Sequence, residues 1–327
     1  MPRISVVIPV YSGEKTICET VNSVLNQTFS DFELIVVDDG SKDATVDILK
    51  SIQDPRLKIF DRPHAGVSAS RNYGIAQAQG EFITFLDADD LWTPDKLEAQ
   101  LKALERNPQA AVAYSWTNFI DESGHFLHPG LHTTADGDVY AKLLVLNFIE
   151  SGSNFMVRRE ALDGVGGFDS SLEGFEDWDM GLRLAGRYHF VTVPVPQILY
   201  RRSTTSRSSD VFNHETAARR AIEKAYRRTP QSLQHLKRHT NAWVYEYLTH
   251  KALDGPPGRR KGFLALKFLL RAIRNDPNLL KHFIHISSLL FRIIVTILLP
   301  PRQAERLLDR IRNLVRKRSE RTSLLPH

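Results

Sequence analysis

The 327-residue sequence predicts an α/β fold, a mostly parallel sheet flanked by helices, followed by a helical, basic and amphipathic appendage. Three observations lead there. Short β-branched runs alternate with stretches of helical periodicity through the first third of the chain. Acidic clusters follow directly on two of those runs. Charge is also segregated: residues 256–327 hold 16 Lys or Arg against 4 Asp or Glu, while the whole chain carries only +5. A content of 42% hydrophobic and 25% charged residues is that of a soluble globular chain with one sizeable core.

In order, strands are expected over residues 4–9, 34–38, 57–60, 82–86 and 111–115, with helices over 16–25 and 45–52 between the first of them. Near-continuous apolar strands joined by helices imply a parallel sheet covered on both faces, which binds ligands beyond the carboxyl ends of its strands. Those ends are acidic: Asp38-Asp39-Gly40-Ser41 follows the second strand and Asp87-Ala88-Asp89-Asp90 the fourth. Five carboxylates at one edge repel one another unless they contact a cation or accept hydrogen bonds, and a divalent ion is the economical explanation. Asp87 and Asp89 flank one small residue in extended chain and therefore point the same way, as hard oxygen ligands for Mn²⁺ or Mg²⁺ require.

Residues 118–150 read as polar loops. His125, His128 and His132 have metal-like spacing, but Pro129 and Gly130 interrupt any helix that would align them, so a solvated loop is expected. Gly166-Gly167-Phe168-Asp169 is a tight-turn signal, and Glu176-Asp177-Trp178-Asp179 opens a helix, where acid also complements the helix dipole. Residues 211–254 read as helical, with Trp243, Tyr245 and Tyr247 as packing aromatics.

The stretch 282–299 is the most apolar, yet an 18-residue helix reaches only about 27 Å against a hydrocarbon core of roughly 30 Å. His285, Ser288, Arg292 and Thr296 add a polar stripe, which suits a helix lying in an interface or packed on another. Beyond Pro300 and Pro301, Leu307, Leu308, Ile311, Leu314 and Val315 share a helical face, with Arg302, Arg306, Arg310, Arg312, Arg316, Lys317 and Arg318 around the rest. Contact with an anionic membrane surface through 282–318 is expected; the competing reading is a helix covering the preceding domain, or a homo-oligomer contact, with an ordinary solvated basic face. Nucleic acid is not expected, because the tail has no Tyr or Trp to stack on bases. The single cysteine, Cys18, excludes an intrachain disulfide, and no cleavable leader is read at the N-terminus, so a cytoplasmic location at the inner face of the membrane is expected.

Five motifs, Val6-Val7-Ile8-Pro9-Val10-Tyr11, Val37-Asp38-Asp39-Gly40-Ser41, Gly66-Val67-Ser68-Ala69-Ser70-Arg71-Asn72, Leu86-Asp87-Ala88-Asp89-Asp90 and Glu176-Asp177, resemble in order and spacing the family 2 inverting glycosyltransferases. The resemblance covers residues 3 to 205 and implies a GT-A fold, a Rossmann-like sheet, with a catalytic domain over 1–210: a nucleotide-sugar half of about 1–117 and an acceptor half of about 118–210. A helical extension over 211–255 and the tail over 256–327 would follow. It implies that Pro9 and Tyr11 border the nucleotide base and that Asp39 accepts a hydrogen bond from it. Asp87 and Ala88 would lie at the donor, Asp89 with Asp87 at the metal, Arg71 would help position the donor, and Asp177 would be the general base. The implied reaction moves a sugar from a nucleoside-diphosphate donor, UDP-linked by preference, to a saccharide or lipid-linked acceptor, as in cell-surface polysaccharide synthesis.

The sequence departs from the family at Ser203, where a metal- or diphosphate-binding histidine is common; Arg201, Arg202 and Arg207 are candidates to meet the diphosphate instead. Two other classes compete. An aspartyl phosphatase also starts from Asp-X-Asp after a strand, but Leu91 stands where it needs a hydroxyl. A non-catalytic scaffold recruiting partners through its basic tail would have no use for Asp89 and Asp177 together.

Overall fold

The computed structural model describes residues 1–172, 174–202, 211–308 and 310. The chain divides into two compact units, Met1–Ser203 with Glu223–Pro230, and Thr204–Ile222 with Gln231–His327.

The first unit opens with β1 (Ile4–Val10), α1 (Ile17–Leu25), β2 (Phe32–Asp38), α2 (Thr45–Ser51), β3 (Leu57–Asp61), α3 (Val67–Gln77) and β4 (Phe82–Phe85). Next come β5 (Leu91–Trp92), α4 (Lys96–Arg106), β6 (Ala110–Ile120), β7 (Phe126–Pro129), α5 (Tyr140–Val145), β8 (Met156–Arg158), α6 (Arg159–Val165), α7 (Glu176–Ala185) and β9 (His189–Arg201). All nine strands join one sheet in the order β3-β2-β1-β4-β8-β6-β9-β5, with β7 paired to β6. The fold is GT-A, α/β with a mostly parallel sheet in its first half.

Every residue of β1, β2 and β4 is buried, as a sheet covered on both faces demands, so these strands read as unbroken apolar runs. β1 pairs in parallel with β2 on one side and β4 on the other, with Ile4 opposite both Phe32 and Phe82. Parallel partners end at the same edge, which brings the two acidic tips together. The antiparallel half departs from the sequence expectation. β8 pairs antiparallel with β4 and β6, and β6 continues to Ile120 and folds back into the β7 hairpin where polar loops were expected. β7 and β8, of four and three residues, are too short for a period of two to stand out in a sequence.

The second unit contains most of α8 (Val211–Arg228), then α9 (Lys237–Ala252), α10 (Arg259–Asn275) and α11 (Phe283–Leu298). Phe268, Leu269 and Ala272 of α10 and Leu289 and Ile293 of α11 are buried in its core. Gly262 lets α10 and α11 approach, since a Cβ there would lie 2.6 Å from Ile297 Cγ1. Tyr245 packs on Phe268 at 6.0 Å and Trp243 on Tyr247 at 6.2 Å, so these aromatics build the unit, as expected. The polar stripe of α11 is only partly external: Thr296 is buried, while Ile284, Phe291, Ile294 and Leu298 face outward. No described helix is long and apolar enough to cross a membrane.

Candidate active site

The site begins where β1 and β4 part. The Val7 carbonyl accepts from Leu86 N–H at 3.0 Å, and alternation turns Pro9 to that same side, where β4 has already stopped pairing at Phe85. A residue without an N–H leaves nothing unpaired there, so Pro9, itself buried, closes the ladder just before the chain reaches Tyr11.

The first acidic tip is bound up in its own loops. Asp38 accepts from the N–H groups of Gly40 at 3.1 Å and Ser41 at 2.9 Å and from the Ser41 hydroxyl. Asp39, buried, accepts from Ala65 N–H at 2.8 Å with one oxygen and from Gly66 N–H at 2.9 Å with the other, and His64 Nδ1 lies 2.8 Å from the second. The loop before α3 is thus wrapped around this carboxylate. The Tyr11 ring lies on the His64 imidazole at 4.4 Å, placing an aromatic pair beside Asp39.

At the second tip the backbone is pinned from several sides. Asp87 N–H donates to Ser153 Oγ at 3.0 Å, the Ala88 carbonyl accepts from the Thr16 and Thr20 hydroxyls at 2.8 and 3.0 Å, and the Asp89 carbonyl accepts from Arg201 Nε at 2.8 Å. Asp90 is buried and accepts from Ser153 Oγ at 2.6 Å and Arg201 N–H at 3.0 Å; burial and the neighbouring charges of Asp89 and Asp87 hold its carboxyl well above the usual range. Burial and the charge of Asp87 push the Asp89 carboxyl up to about 6.

Arg71 of α3 joins this tip to α7. It is 2% exposed, donates from Nη2 to Asp87 Oδ1 at 2.5 Å and from Nη1 to Glu176 Oε1 at 3.0 Å, and covers the Phe168 ring at 5.1 Å. The second glycine of interest, Gly152, makes room for it: a Cβ would sit 3.0 Å from Arg71 Nη2. Burial opposes the guanidinium charge, but Asp87, Glu176 and Asp177 outweigh it and hold Arg71 firmly protonated. Asp177 accepts from Trp178 N–H at 2.7 Å, and its carboxyl is pushed up to about 7, by burial first and then by Glu176, with Arg71 opposing and Asp87 adding to the rise. A carboxyl so placed exchanges its proton near neutral pH. These couplings bring Asp177, Glu176, Arg71 and Asp87 together from α7, α3 and the end of β4.

Two sequence expectations change. Arg201 is not available to a diphosphate: it is 4% exposed, with Nη1 on the Glu122 carbonyl at 2.9 Å and Nη2 on Glu19 Oε2 at 2.7 Å. Arg202 lies over the Phe119 ring at 5.8 Å, and Ser203 and Arg207 fall outside the described residues. Of the five acidic residues at the strand tips, Asp38, Asp39 and Asp90 are met by backbone, hydroxyl or imidazole donors and Asp87 by the Arg71 guanidinium, so part of the crowding that called for a cation is relieved from within the protein. The three histidines of 125–132 form no common site: His132 stacks on Trp116 at 4.8 Å, His128 on Phe119 at 4.7 Å, and His125 lies 3.5 Å from Asp121. Ser153, His64 and Glu19 were not foreseen; His64 alone had a local signal, two residues before the Gly66 motif.

A sequence model of the family described as glycosyltransferase like family 2 matches residues 5–252, about three quarters of the chain. The chain belongs to this family. As a member it is 44% identical over 165 residues to an uncharacterized glycosyltransferase of Haemophilus influenzae, a match covering 50% of this chain and 64% of that one. Matches to other family members span as little as 21% of the relative's length. Among solved structures it resembles S. aureus TarS in complex with UDP-GlcNAc, with TM-score 0.55, 18% identity and coverage of 91% and 80% of the two chains. It also resembles a mannosyltransferase from Pyrobaculum calidifontis in complex with GDP-Man and Mn²⁺, with TM-score 0.57, 18% identity and coverage of 91% and 87%. At such identities the family member shares the fold of these proteins.

Proposed function

We propose that the chain is a metal-dependent inverting glycosyltransferase that moves a sugar from a nucleoside-diphosphate sugar, UDP-linked by preference, to a hydroxyl of a saccharide or lipid-linked acceptor in cell-surface glycoconjugate synthesis. The observation that carries it is Arg71, bonded at once to Asp87 and Glu176 and so gathering the strand-tip acids and Asp177 at one place.

The base would lie against Tyr11 and His64 at the end of β1 beyond Pro9, with Asp39 as acceptor for a base N–H through Oδ1, which takes the Ala65 N–H and keeps a second lone pair, while Oδ2 is met by Gly66 N–H and His64 Nδ1. Asp87 and Asp89 fit Mn²⁺ or Mg²⁺: both offer hard oxygens, and the Asp89 carboxyl is raised by burial first and then by the charge of Asp87, a repulsion that a cation would relieve. Asp87 and Asp89 would hold the ion, and the chemistry supplied there would be neutralisation of the charge that grows on the leaving diphosphate. Asp177 would take the proton of the incoming hydroxyl as its oxygen attacks the anomeric carbon opposite the leaving group, whose C–O electron pair departs with the diphosphate. One base suffices, and inversion follows from a single displacement. Arg71 would hold Asp87 in place, and residues 118–210 would receive the acceptor.

The second unit supports docking at the inner membrane face. It carries both outward apolar residues, Phe283, Ile284, Phe291 and Leu298, and exposed basic ones, Arg259, Arg260, Lys267, Arg274 and Arg302. Purified chain tested against a panel of nucleotide sugars should gain thermal stability with one of them in a Mn²⁺- or Mg²⁺-dependent way. A panel with no stabilising member would refute the transferase reading, and a scaffold need bind none. Flotation with vesicles rich in anionic lipid, lost on Phe283→Glu and Phe291→Glu, tests the docking.

A further inference from the structure

We propose that Glu246, His250 and His285 form a second metal site, suited to Zn²⁺, that fastens the start of α11 to α9. Glu246 and His250 are four residues apart on α9 and therefore share one face of that helix. His285 comes from the first turn of α11. One ligating atom from each of the three lies within 4.8 Å of the others, and among the described residues this is the group of three or more such side chains that meets that distance. His285 Nε2 is already 2.6 Å from Glu246 Oε1, and the two imidazole rings lie 5.6 Å apart at 33°.

The donor set separates this site from the one at the strand tips. Two imidazole nitrogens and one carboxylate match the ligands of zinc rather than of Mg²⁺ or Mn²⁺, which take oxygen. Ligands of a tetrahedral ion with bonds of about 2.0–2.1 Å stand roughly 3.3 Å apart, so loading would open the His285–Glu246 hydrogen bond by less than 1 Å and draw His250 inward, within reach of side-chain rotation. His285 is exposed and the other two half-buried, which leaves the fourth position to water. α11 carries outward apolar residues at Phe283, Ile284, Phe291, Ile294 and Leu298, so a cross-link at its first turn would fix the helix that presents them.

The test uses the full chain, stripped with a chelator, and Co²⁺ as a coloured substitute for Zn²⁺. The Asp87→Asn/Asp89→Asn variant removes the strand-tip pair. In that background, one equivalent of Co²⁺ should give the intense visible absorption of a tetrahedral site, be displaced by Zn²⁺, and raise the unfolding temperature. His250→Ala and His285→Ala, each checked for native helix content by circular dichroism, should each weaken binding by at least tenfold, while His282→Ala should not. Absence of the absorption band in the parent, or a band unchanged in the His250→Ala/His285→Ala double variant, would overturn the site and leave an ordinary histidine–glutamate ion pair.

Discussion

The two acidic strand tips have nearly the same composition and opposite economies of hydrogen bonds. After β2, Asp38 and Asp39 are met by four backbone N–H groups, a hydroxyl and an imidazole, so their charge organises loops. After β4, donors reach the backbone and Asp90, while Asp87 has the Arg71 guanidinium and Asp89 is left with a raised affinity for protons. A count of carboxylates does not locate a cation; exposure and the supply of donors do so together, since Asp87 and Asp89 are half-buried while Asp90 is sealed from solvent.

The sharpest way to break that contrast is to neutralise each tip in turn. Asp89→Asn and Asp177→Asn should each lower transfer by about 10²–10⁴-fold, the range for a lost charge stabiliser or general base, with Asp177→Asn retaining nucleotide affinity by calorimetry. Full transfer in both would end the assignment. Arg71→Met comes next: it leaves buried Glu176 and half-buried Asp87 without their cation, and chemical denaturation should show a loss of about 3 kcal/mol. Asp39→Asn offers one acceptor oxygen where the carboxylate offered two, so one of the Ala65 and Gly66 N–H groups goes unmet. A loss of about 1–3 kcal/mol and weaker nucleotide binding should follow, with little effect on the catalytic step once the donor saturates.

The smallest effect concerns pH. The folded pKa of Asp177, about 7, lies above that of an unfolded aspartate near 3.8, so between those values the unfolded chain holds fewer protons and stability falls as pH rises, levelling off above 7. Asp177→Asn should therefore raise the melting temperature by about 2–4 °C at pH 8 and by less at pH 5. Transfer should climb with pH to a plateau, with a midpoint at or below about 7, since a cation at Asp87 removes one of the charges that raise Asp177. A flat profile from pH 5 to 8 would detach Asp177 from proton transfer.

What was legible in the sequence was local. β1, β2 and β4 show as apolar runs because burial on both faces leaves no polar alternation, and the acid that follows each marks its carboxyl end. α1, α11 and the turn at Gly166 likewise announce themselves over a few residues, while most of the basic helix expected beyond Pro301 lies outside the described residues. The short strands β7 and β8 did not, and Arg201 stood as a candidate for the diphosphate because an arginine's protein partners, here Glu19 and the Asp89 and Glu122 carbonyls, are not visible from its neighbours in sequence.

The sequence by itself determined the order of the strands, their parallel start and the acids at their tips, since these depend on periodicity and on neighbours one to four residues away. Only the tertiary structure decided which acids are satisfied and which are left in want of charge. Arg71 reaches Asp87 and Glu176, Ser153 joins Asp87 to Asp90, and Arg201 closes on Asp89 and Glu19, contacts spanning 16 to 182 residues of chain. Such pairings are set by how helices and strands pack in space, where a donor's distance along the chain has no bearing on which carboxylate it meets.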